Sequence, residues 1–259
     1  MPIKSFLIGL AFLFSSTAMF ADSGSTNAPA STNALQTPSA QTNATFVKYF
    51  RETEDALAKI QDYTTIFRRI ELIDGKLIPE EVAFLKFRRP MSVYLKWFTP
   101  PKGQETLFVA GANNNKVRAH ATGIAGIVTV NLDPYGARAM ENSRHPVTDI
   151  GVHHLALTII SNMNRSIKAG ELTSLDHGEK IVYGRKTRQL EGILPKNASK
   201  GYYCYRCIVN LDLENKMPIF TQIFDWDDRL VESYGYENLR INPGLTDKDF
   251  DPKNPDYNF

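Results

Sequence analysis

The sequence predicts an α+β fold: a meander of about ten antiparallel strands, long enough to curl, with one face covered by two amphipathic helices. Three observations carry this. Most strand-like runs follow one another with short turns between them, which favours antiparallel pairing. Two stretches break the two-residue period and space their apolar residues as a helix does. The chain has 259 residues, 42% of them hydrophobic and 11% aromatic, enough to bury one sizeable core.

The elements follow in order. Lys4 precedes the apolar run FLIGLAFLF, and small residues follow it. That is the pattern of a secretory leader, and the run is too short to span a bilayer. Cleavage after Ala18 or Ala21 is expected, with no cysteine at the junction for a lipid anchor. Residues 22–45 are Ser, Thr, Asn, Ala, Gln and Pro with almost nothing large and apolar. Such a segment cannot offset its ordering entropy and reads as a tether. The ordered domain is expected over residues 46–259.

FVKYFRETEDALAKI carries Phe46, Phe50, Leu57 and Ile60 at helical spacing. YTTIFRRIELIDGKLI holds two β-rich runs around Asp74-Gly75, a hairpin signal. EEVAFLKFRR, MSVYLKWF, ETLFVAG, KVRAHATG and GIVTVNLD continue the strands, broken by Pro90, Pro100-Pro101 and an Asn-Asn-Asn turn. GVHHLALTIISNMNRSIKAG then places Leu155, Ile159, Met163 and Ile167 on one helical face, with Asp149 to cap it and Gly170 to end it. Four strand runs close the chain: KIVYGRKTRQLEGI, YYCYRCIVNLDL, PIFTQIFDWD and RLVESYGYENLRI.

Composition excludes several functions. The net charge is +2 with both signs interleaved, so no nucleic-acid stripe or polybasic membrane patch is present. There is no phosphate loop, dinucleotide fingerprint or Gly-x-Ser-x-Gly, and the Gly123–Gly126 run reads as a glycine turn. No catalytic residue, metal site or cofactor is assigned. His145, Asp149, His153 and His154 form the only His/Asp cluster, and no third ligand stands at a fixed spacing. Cys204 and Cys207 sit in a strand-like alternation that separates their α-carbons by roughly 10 Å and points the thiols opposite ways. A disulfide, which needs less than about 7 Å, would require a bulge. A bulge disulfide and free, partly buried thiols both stay open.

In MSVYLKWF both faces carry apolar or aromatic residues, so the sheet lines either a closed core or a lipid-sized pocket. The stretch LKFRRPMSVYLKWFTPPKGQETLFVAG resembles the LolA/LolB lipoprotein-carrier superfamily, as does the tail GLTDKDFDPKNPDYNF. The wider pattern, with SRHPVTDIGV, LDLENKMPIF and LVESYGYENLRIN, is similar to the bacterial domain-of-unknown-function family 1571. The resemblance covers roughly residues 46–259 but finds no counterpart for Ala119 to Val147. It implies a half-open antiparallel β-barrel of about 10–11 strands with a helical lid and an apolar cavity. It implies that Leu95, Trp97 and Phe108 line that cavity. It also aligns Arg89-Pro90 with a turn whose arginine hydrogen-bonds the lid and holds it shut, with Arg88 as the solvated neighbour.

The expected function is a periplasmic carrier or binding protein for a lipid, acyl chain or lipoprotein, monomeric, with transient membrane contact. One alternative is a sensor module of the same fold that binds a lipidated signal and an envelope protein partner. A second is a hydrolase using His145 or His153.

Overall fold

The computed structural model describes residues 40–99, 102–122 and 128–259. The expected leader, most of the tether, the Pro100-Pro101 break and the Gly123–Gly126 run lie outside the described residues.

Helix α1 spans Ala40–Leu57. It buries Phe46, Phe50, Thr53 and Leu57, one stripe at three- and four-residue spacing. It starts before Phe46, so residues 40–45, expected as tether, are its opening turns. Asn43 there accepts a hydrogen bond from the Ser174 hydroxyl (2.7 Å), which anchors a polar stretch that composition alone leaves loose. Strands β1 (Asp62–Ile73) and β2 (Lys76–Leu77) form a hairpin through Asp74 and Gly75, both at positive φ (49° and 79°) as a two-residue turn of this type requires. Strands β3 (Glu81–Arg88), β4 (Ser92–Trp97), β5 (Glu105–Val109), β6 (Val117–Ala121) and β7 (Val128–Leu132) continue the meander. The turn between β5 and β6 sets Asn113, Asn114 and Asn115 all in the left-handed region, which asparagine tolerates.

Helix α2 spans Val152–Lys168 and ends as expected at Gly170, whose φ is 68°. Its N-cap is Gly151, not Asp149, which belongs to a preceding single turn of 3-10 helix. Gly151 has φ 105°, and a β-carbon there would lie 2.0 Å from the Tyr63 hydroxyl. Tyr63 is fully buried and packs directly on the helix start, so sterics choose glycine over a side-chain cap.

The remaining strands are β8 (Thr173–Val182), β9 (Arg185–Ile193), β10 (Arg206–Asp212), β11 (Pro218–Phe224) and β12 (Leu230–Ile241). KIVYGRKTRQLEGI, read as one strand, is two. Tyr183 and Gly184 turn it back at positive φ, and β8 extends upstream to Thr173. This hairpin raises the described strand count to 12, against the 10–11 expected.

All strands join one antiparallel sheet in the order β7-β6-β5-β4-β3-β1-β12-β11-β10-β9-β8, with β2 beside β1. The sheet does not close on itself, and the architecture is a half-open barrel. Both helices pack on its concave face, where Phe46, Phe50, Leu155, Ile160, Leu190 and Val209 join one core. A second, smaller cluster lies on the convex face. There the C-terminal tail lays Phe250, Tyr257 and Phe259 over Tyr94 and Leu107, with Tyr94 and Tyr257 stacked at 3.8 Å. Lys86 donates to Asp249 (2.8 Å), and buried Glu105 accepts from both the backbone and the side chain of Asn258. That explains why β4 is apolar on both faces.

Candidate binding cavity

Alternation along each strand decides what faces inward. On β1 the inward positions include Phe67, Arg69 and Glu71; on β12 they include Glu232, Tyr234 and Tyr236; on β4 they include Leu95 and Trp97. These side chains, except Glu232, line a cavity of about 590 Å³, roofed by the segment Arg138–Ile150 and the first turns of α2. Leu95 (2% exposed) and Trp97 (8%) both line it. Phe108 is buried opposite Val93 and is not among the lining residues.

The roof is held by an ionic clasp that sequence reasoning missed. Glu71 (3% exposed) and Glu232 (0%) stand side by side on the inward face. Arg144 donates its backbone N–H to Glu71 (3.0 Å) and its Nε to Glu232 (2.7 Å). His145 Nε2 lies 3.2 Å from Glu232 and 2.8 Å from the Tyr203 hydroxyl. Tyr203 donates to Glu232 (2.7 Å), and Tyr234 donates to Glu71 (2.6 Å). Burial would lower the His145 pKa, but its hydrogen bond to Glu232 and that carboxylate's charge leave it raised. Burial would raise the Glu232 pKa, but His145, Tyr203 and Arg144 hold it low. Both groups are therefore stabilised in their charged forms. The available signal was parity: Glu71 and Glu232 are carboxylates on faces that also carry Phe67, Tyr234 and Tyr236.

Arg89 makes the second clasp. Its backbone N–H donates to Gln61 O (2.8 Å), which fixes the turn after β3. Its Nη2 donates to the Leu57 carbonyl at the end of α1 (3.0 Å) and lies 3.0 Å from His153 Nδ1 in the first turn of α2. His153 Nδ1 is thus the acceptor, and its ring is neutral with the proton on Nε2. Burial first, then the charges of Arg89 and His154, lower the His153 pKa. One guanidinium grips both helices. Arg88, expected to be solvated, instead donates to Asp247 (2.6 Å) and covers the Phe250 ring, tying the convex face to the tail.

The other sequence candidates do not converge. His145 and His154 border the large cavity while His153 is engaged by Arg89, and no group of three or more side chains able to hold a metal ion occurs among the described residues. Beside His145, burial foremost, then Glu232, raises the Tyr203 pKa, and the Ser143 hydroxyl donates to the His145 carbonyl, so neither is set up as a nucleophile. Cys204 and Cys207 are free thiols, one of the two alternatives the sequence left open. Cys204 lies outside β10, in an irregular approach to it, so the alternation that would have opposed the thiols does not apply. Both border a second cavity of about 60 Å³ beneath the helices. Burial pushes the Cys204 thiol up to about 12 and raises Cys207 well above the ordinary thiol value, so neither is activated as a catalytic nucleophile.

The family profile described as "Protein of unknown function (DUF1571)" matches residues 60–259. No curated protein matches the sequence. Solved structures similar to the chain include the Mycobacterium tuberculosis lipoprotein LppX, at 11% identity and TM-score 0.47, covering 78% of this chain and 98% of LppX. MucB is similar at 14% identity and TM-score 0.48, covering 80% of this chain and 62% of MucB. A LolA superfamily protein from Nitrosomonas europaea is similar at 8% identity and TM-score 0.31, covering 79% and 96%. No described helix is long and apolar enough to cross a membrane.

Proposed function

This chain belongs to the DUF1571 family, and we propose that it is a periplasmic carrier or binding protein that holds an acyl chain or lipid, free or attached to a lipoprotein, in the cavity of its half-open barrel. The observation that carries this reading is the 590 Å³ space over an aromatic floor, roofed by a loop on ionic clasps where a packed core would place a helix. Its size is that of a small-molecule site. Leu95, Trp97 and Phe67 offer apolar surface to a chain that gains about 0.8 kcal/mol for each CH₂ taken out of water. Arg89 serves as the latch: cargo entry separates it from α1 or α2, and cargo exit lets it return. The leader read in the sequence delivers the chain to the periplasm. Intact-mass measurement of native protein tests this; an uncut N-terminus ends the periplasmic part of the proposal.

The binding test is a titration with saturated fatty acids of graded length. Affinity is expected to rise by roughly fourfold per CH₂ until the space is full. A response independent of length would mean the cavity takes no chain. The hydrolase alternative draws no support from the surroundings of His145 and His153.

A further inference from the structure

The two cavities share a wall. Leu155, Thr158 and Tyr203 line both the large space and the small one beneath the helices. The small chamber is bounded on its far side by Phe46 and Phe50 of α1 and by Cys207 and Val209 of β10. Most of its polar neighbours are already engaged. Asn162 donates to the Thr158 carbonyl and accepts from the Tyr203 backbone N–H. Ser166 donates to the Met163 carbonyl, and the Tyr203 hydroxyl is held by Glu232. An occupant of this chamber is offered carbon and sulfur, and a polar headgroup would lose its hydrogen bonds on entering.

We propose that the small chamber receives the methyl end of an acyl chain whose body lies in the large cavity. This rests on the carrier reading above and adds where the chain runs and what limits its length. The chain passes between Leu155 and Tyr203. Tyr203 is pinned by Glu232 and His145, so the passage has one fixed jamb, and Leu155 on α2 forms the other. A chamber of about 60 Å³ has room for the last few carbons only. Chains longer than that need α2 to move, so affinity stops rising with length at this point.

The test compares octanoate, which fits within the large cavity, with palmitate, which is long enough to reach the chamber. In the wild-type full chain, saturating palmitate is expected to slow the reaction of Cys204 and Cys207 with a small methanethiosulfonate reagent by tenfold or more. Octanoate at equal occupancy should leave the rate nearly unchanged. Cys207→Phe, which fills the chamber, should weaken palmitate binding by roughly tenfold and leave octanoate binding as it was. Circular dichroism checks that the variant folds, and the thiol measurement needs no variant. Equal protection by both acids, or palmitate binding unchanged in a folded Cys207→Phe protein, overturns the chamber assignment and leaves the carrier reading standing. If neither acid binds the wild-type chain, the carrier reading falls and this inference with it.

Discussion

The two halves of the sheet close their concave faces by different means. Over β8 to β11 the helices lie directly on the strands, and Phe46, Phe50, Leu190, Val209 and Ile223 interlock in one core. Over β4 to β7 only the first turns of α2 reach the space, and the segment Arg138–Ile150 spans the rest on hydrogen bonds to Glu71 and Glu232. Interlocked side chains reach crystal-like density and leave little space. Charged clasps act at points, so a roof can be held in place without filling what lies beneath it. The difference teaches that emptiness can be built into one half of a continuous sheet by choosing clasps over packing.

The sharpest way to break the comparison is to attack the packed half. Phe50→Ala is expected to cost about 3–5 kcal/mol of global stability, read by chemical denaturation. A loss under 1 kcal/mol would show that this half is not close-packed. In the clasped half, Glu232→Gln keeps the shape and removes the charge. Losing charge-assisted bonds to Arg144, His145 and Tyr203 should cost roughly 1.5–3 kcal/mol, confined to the roof. Hydrogen exchange should rise in residues 138–150 and stay unchanged in α1. In the wild type the clasp is strongest between the two titrations. It weakens as pH rises through the raised pKa of His145 and as pH falls through the lowered pKa of Glu232. The variant should lose this window, and exchange that stays flat with pH in the wild type would refute the clasp.

Arg89→Leu sharpens the comparison at the helices. Removing a bond worth about 1.5–3 kcal/mol should favour the open state and slow release of a fluorescent acyl probe by roughly tenfold. Acid should act in the same direction. Because the folded pKa of His153 is lowered, its neutral form supports the latch fully above about 6.5, and that support is lost as pH falls. His153→Gln should erase the acid effect, and release unchanged by both substitutions would end the latch proposal. The smallest effect is expected from Arg88→Leu. Its partner Asp247 is 97% exposed, and such a pair contributes under about 1 kcal/mol. Tail mobility measured by NMR should rise while probe release stays at the wild-type rate.

Much of this was legible in the chain. The alternation of Leu95 and Trp97 and the helical stripe of Leu155 and Met163 are local patterns, and local patterns fix elements. The Tyr183-Gly184 turn was missed because Lys-Ile-Val-Tyr and Arg-Lys-Thr carry strand propensity straight through it. The roof was missed for a different reason. Arg144 and His145 lie far along the chain from Glu71 and Glu232, and no spacing rule brings such residues together. Arg89 was singled out through a resemblance in its turn, but its partner His153 was not, since a histidine in a first helical turn says nothing of what faces it.

The seam between the halves has a consequence in time. Strand β1 pairs with β12, and the Thr65 hydroxyl bonds to the Glu237 carbonyl 172 residues away. Contacts this distant in sequence slow folding, because the loop must close before the pairing repays it. The middle of the sheet therefore cannot form until almost the whole polypeptide has been delivered. In a chain threading a pore from its N-terminus the seam would stay open through nearly all of the passage, and the last strand to emerge would be the one that closes it on the first.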